Sequence, residues 1–90
     1  MGREKILQKL TELFVKKYGE PESKLIPKNY DKPLTGKIFG FDSIALVYLF
    51  FDIQHEFKIH IDAKQILHYE FNTINGIVRL IEKCASQQAA

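Results

Sequence analysis

The chain has 90 residues, 46% of them hydrophobic and 27% charged, the proportions of one small globular domain. Gly and Pro together number eight, which excludes a low-complexity chain, and the single cysteine, Cys84, excludes an internal disulfide and fits a reducing compartment. The formal charge of +2 divides into +4 over residues 1–40 (nine Lys/Arg, five Asp/Glu) and −2 over residues 41–90 (four against six), without the Arg cluster of a nucleic-acid binder.

Met1-Gly2-Arg3-Glu4-Lys5 lacks the apolar run of a signal peptide, and no apolar stretch approaches membrane-spanning length. A cytoplasmic protein with no membrane insertion is the expectation. Residues 3–18 then read as a first helix. Ile6, Leu10, Leu13 and Phe14, with the stem of Lys17, follow a three-to-four spacing, and Leu7 and Tyr18 widen that face. Gly19 is the expected stop, with Pro21 beyond it. Residues 20–37 fit neither helix nor strand and carry Pro21, Pro27, Pro33 and Gly36. A connection this long must be functional or pinned to the core, and Leu25, Ile26, Tyr30 and Leu34 are the expected pins.

A second helix is predicted over 43–57, with Asp42 as its N-cap. At about 100° per residue its apolar positions form two opposite stripes. Leu46, Leu49, Phe50, Ile53 and Phe57 make one; Ile44, Tyr48 and Phe51, continued by His55, make the other. The first is assigned to the core, which leaves the second as an exposed docking face or a contact for the loop or the third helix. Ile59 and Ile61 anchor the next connection. Asp62-Ala63-Lys64-Gln65 has capping-box spacing and predicts a short third helix through Leu67. Asn72 or Thr73 caps a last helix whose buried face is Ile74, Ile77, Val78 and Ile81; Cys84 packs in its last turn, half-exposed at most, and residues 86–90 are expected to fray. His55, His60 and His68 do not form a metal-ligand spacing with Cys84.

The stretch Gly40-Phe41-Asp42-Ser43-Ile44 resembles the G-x-D-S-[LI] motif of acyl and peptidyl carrier proteins. On the dipeptide alone, Asp42-Ser43 reads first as two capping residues. The likeness extends further, through His55-Glu56-Phe57 at the end of helix two, Ile59-His60-Ile61-Asp62 before helix three and Phe71-Asn72-Thr73-Ile74 before helix four. It runs from about Ile38 to Lys83, and the N-terminal helix matches only in kind. The resemblance implies an all-α four-helix bundle with three main helices, one short helix and a long first loop. It implies a phosphopantetheine arm from coenzyme A on Ser43, with Asp42 capping the helix and assisting the modifying enzyme. It implies an acyl or aminoacyl cargo held as a thioester, and partners comprising a phosphopantetheinyl transferase and the loading and acceptor enzymes. The protein would be a substrate and shuttle rather than an enzyme, and a monomer.

Where typical acyl carriers present acidic residues on the second helix, this chain has Ala45, Tyr48, Gln54 and His55; only Asp42, Asp52 and Glu56 are negative there. That departure points to a specialised carrier of a natural-product or peptide-modification pathway rather than the general fatty-acid carrier. Partner docking would rest on Ile44, Tyr48 and Phe51. The alternatives are a carrier-like scaffold that is never modified and a small helical nucleic-acid binder led by the basic first half.

Overall fold

The computed structural model describes residues 2–62, 64 and 70–88. Among them are three α-helices, α1 (Arg3–Tyr18), α2 (Ser43–Phe57) and α3 (Ile74–Gln88), and three single 3-10 turns at Glu22–Lys24, Pro27–Asn29 and Glu70–Asn72. The fold is all-helical. The short helix expected through Leu67, and His68, lie outside the described residues apart from Asp62 and Lys64, where the Asp62 carboxylate accepts the Lys64 N–H at 3.0 Å.

Local chemistry fixes the helix ends. α1 stops where Gly19 takes the left-handed conformation at φ 67°, and the Glu20 N–H reaches back to the Phe14 carbonyl at 3.1 Å. α2 starts on Asp42, whose carboxylate accepts the Ala45 N–H at 2.8 Å. It stops at Lys58, a non-glycine residue at φ 54°. There the chain turns back, and the Gln54 side chain accepts the Ile61 N–H at 2.9 Å as Ile61 enters the core. Of the two candidate caps for α3, Thr73 is the one in place: its hydroxyl accepts the Gly76 N–H at 2.9 Å. α3 continues to Gln88, past Ser86 where fraying was expected. The Ala, Ser and Gln residues there carry no helix-breaking proline or glycine.

The core takes Ile6, Leu10 and Phe14 from α1, Leu49, Phe50, Ile53 and Phe57 from α2, and Ile74, Ile77, Val78, Leu80, Ile81 and Cys84 from α3. α1 lies directly against α3. Cys84 is buried in this core, as a packing residue should be, and burial pushes its thiol pKa up against a smaller opposing effect of Lys83. Leu46 sits at the margin of its stripe, partly buried. Lys17 contributes charge rather than its stem: the side chain is exposed and its ammonium meets Asp52 of α2 at 2.7 Å.

The long connection is pinned largely where expected. Leu34 is fully buried, and Leu25 and Tyr30 pack partly buried on the core. Two further anchors, Phe39 and Phe41, are buried as well. Phe14 lies between them, with ring centroids at 6.3 Å from Phe39 and 5.7 Å from Phe41. Tyr18 adds a contact at 5.5 Å to Phe41. Each buried aromatic ring of this kind contributes roughly 1.5–3 kcal/mol through area removed from water. The connection is thereby tied to the core by side chains beyond its two 3-10 turns.

Candidate functional site

The loop delivers the chain to the start of α2 through a closed ring of backbone hydrogen bonds. Gly36 N–H donates to the Pro33 carbonyl at 3.0 Å, Gly40 N–H to Gly36 at 2.8 Å, and Phe41 N–H to Leu34 at 2.9 Å. Gly40 has φ 65°, and a Cβ built there would meet nothing within 4 Å. The glycine is therefore needed for its left-handed turn, not for close backbone approach. Phe41 then enters the core and Asp42 leaves it, so that the turn and the buried ring fix where α2 begins.

Ser43 is the first residue of α2 and is exposed. Asp42 is extended at φ −100°, ψ 179°, and its carbonyl accepts the Leu46 N–H at 3.1 Å while its carboxylate holds the Ala45 N–H. No acidic side chain lies in the first turn of α2. The positive end of the helix dipole thus lies beside an accessible hydroxyl, an environment that favours a phosphate ester.

Beyond Ser43 the outward face of α2 is apolar. Ile44, Tyr48 and Phe51 are 64%, 63% and 61% exposed, and Val47, which periodicity did not single out, is 50% exposed. Val47 lies at the edge between the two stripes, so a two-stripe reading passes over it. The Phe51 ring rests edge-on against buried Phe50 at 5.5 Å, which braces an exposed side chain on a fixed one.

The acidic residues of α2 are turned elsewhere. Asp42 is occupied by the cap. Asp52 accepts from Lys17 at 2.7 Å and from the Tyr18 hydroxyl. Partial burial alone would raise the Asp52 pKa; the hydrogen bonds from Lys17 and Tyr18, with the nearby Lys17 and His55 charges, outweigh it and hold the carboxyl below the usual range. Tyr18 shifts upward through burial first and then through the hydrogen bond and charge of Asp52. Glu56 borders an open groove with Lys9, Lys16 and Lys17 of α1. The acidic side chains of α2 lie toward α1 or at its own N-terminus.

No group of three or more potential metal ligands occurs among the described residues, and none of the described helices is long and apolar enough to cross a membrane. A family model described as a phosphopantetheine attachment site matches residues 8–81, most of the chain. No curated protein and no solved structure matches significantly.

Proposed function

The chain belongs to the phosphopantetheine attachment-site family, carrier domains that take 4′-phosphopantetheine covalently and are not themselves catalysts, and from that premise we propose that Ser43 is the residue of attachment. The observation that carries the assignment is the placement of an exposed hydroxyl at the first position of α2, beside a capping Asp42 and with no acid in the first turn. The residues fit the group: Ser43 would hold its phosphate, and the α2 N-terminus would lie beside that charge. The arm supplies a thiol on which an acyl or aminoacyl group is carried as a thioester. In the attachment reaction Ser43 Oγ would bond to phosphorus as the bond from phosphorus to the nucleotide half of coenzyme A broke, that nucleotide leaving and the hydroxyl proton passing to the transferase.

Ile44, Tyr48 and Phe51, with Val47 beside them, form the surface on which the transferase and the loading and acceptor enzymes dock. Support comes from their exposure next to Ser43 and from the diversion of Asp52 and Glu56 toward α1. Such a surface selects partners by apolar contact more than by charge steering. It suits a specialised natural-product or peptide-modification pathway. The lone free cysteine, Cys84, fits action in a reducing compartment such as the cytoplasm.

Incubation with coenzyme A and a broad-specificity transferase should add one phosphopantetheine, seen by intact mass, and peptide mapping should place it on Ser43. Ser43→Ala should abolish the addition. Absence of any mass shift with several transferases would instead favour an unmodified scaffold.

A further inference from the structure

The loop that presents Ser43 is clamped from a distant part of the chain. Leu34 N–H donates to the Asn72 carbonyl at 2.7 Å. Thr35 N–H donates to Asn72 Oδ1 at 3.3 Å, and Asn72 Nδ2 donates back to Thr35 Oγ1 at 3.3 Å. Leu34 also accepts the Phe41 N–H, so the ring that ends one residue before Asp42 is bonded at its base to Asn72. Asn72 closes the 3-10 turn at Glu70–Asn72 and precedes Thr73, the cap of α3. Both its backbone and its side chain are therefore fixed, and the position of the loop is referred to the start of the C-terminal helix. Asn72 did not become the α3 cap that its sequence context allowed; its amide is engaged with Thr35 instead.

We infer that Asn72 is a positioning residue for modification at Ser43: through Leu34, Thr35 and Phe41 it holds the Asp42-Ser43 step in the orientation that a transferase accepts. This rests on the Ser43 assignment above. The inference concerns orientation and not docking, because the outward face of α2 is untouched by the clamp. The effect belongs in turnover rather than in KM, as for other misplacements of a reacting group. An amide is suited to the role because Oδ1 and Nδ2 answer a backbone donor and a hydroxyl acceptor on one residue.

The test compares Asn72→Ala, Asn72→Asp and Thr35→Val, using coenzyme A and a broad-specificity transferase, after the wild-type chain has been shown to take the group on Ser43. Asn72→Ala should lower kcat about tenfold and leave KM within about twofold. Asn72→Asp should stay within about twofold of wild type, because one oxygen still accepts the Thr35 N–H and the other accepts its hydroxyl. Thr35→Val, at an exposed position, removes only the Oγ1 partner and should fall between them. In parallel, amide exchange at Phe41 should speed about tenfold in Asn72→Ala while the core amides of α1 and α3 keep their protection. A merely structural role would speed exchange throughout. Wild-type kcat and Phe41 protection in Asn72→Ala would overturn the inference alone, as would an Asn72→Asp variant as slow as Asn72→Ala. If Asn72→Ala fails to fold, Thr35→Val decides, and a wild-type rate there overturns it. Failure of the wild-type chain to be modified at Ser43 overturns the assignment itself and the inference with it, whatever the exchange data show.

Discussion

The two faces of α2 are built from the same kinds of side chain and meet different fates. Leu49, Phe50, Ile53 and Phe57 are at most 9% exposed, while Ile44, Tyr48 and Phe51 are at least 61% exposed. Phe50 and Phe51 are neighbours in sequence and meet in a T-shaped ring contact, yet one closes the core and the other faces outward. Hydrophobicity therefore does not decide burial on this helix; angular phase does. The lesson is that an apolar residue on the outer phase has a role to be sought in contacts between molecules.

The largest expected effect tests the inner face. Phe50→Ala removes a ring that packs against Phe71 at 5.7 Å and should cost about 3–5 kcal/mol in denaturant unfolding. Phe51→Ala, one position away, should change stability by less than about 1 kcal/mol, having lost mostly exposed surface. Equal losses at the two positions would erase the distinction between the faces.

Next come Tyr48→Ala and Phe51→Ala measured as carriers. Each should lower kcat/KM for a cognate loading enzyme by about tenfold, the loss expected of an aromatic interface anchor, with unfolding midpoints close to wild type. Raising the salt concentration should alter this kcat/KM little, because the outward face carries few charges to screen. A steep fall with salt would place docking on charged residues instead.

The smallest effect sharpens the boundary between the faces, where Asp52 meets Lys17 and Tyr18. The Asp52 pKa is lowered in the folded chain, so its contribution is present above the ordinary carboxylate range and is lost as pH falls through the folded value. The Tyr18 pKa is raised, so its contribution is present below its ordinary value of 10 and is lost as pH rises above it. Stability should therefore decline on both the acid and the alkaline side, and Asp52→Asn should flatten the acid decline while only lessening the alkaline one, because burial remains the main cause of the Tyr18 shift. Thermal unfolding across pH reads this directly; unchanged profiles would remove the ion pair from the account.

Much of this was legible in the sequence, for identifiable reasons. Gly19, Asp42 and Thr73 mark helix ends because each satisfies groups that any helix leaves unpaired, so the chemistry is local. The phase of Ile74, Ile77, Val78 and Ile81 is likewise contained in one helix. Phe39 and Phe41 were not legible as core, because burial in an aperiodic loop depends on where Phe14 and Tyr18 come to lie. Asn72 posed the same difficulty: its local context offers a cap, and only the folded chain brings Thr35 within reach. Val47 falls between two stripes, and exposure at such an angle is set by what packs alongside the helix.

Lys58 ends α2 at φ 54°, a conformation in which a Cβ is strained and glycine is at ease. The position is thus a reserve of unrealised stability, remote from Ser43 by the length of the helix. An engineer could draw on it with Lys58→Gly, toughening the domain by a few tenths of a kcal/mol while leaving its working surface as selection made it.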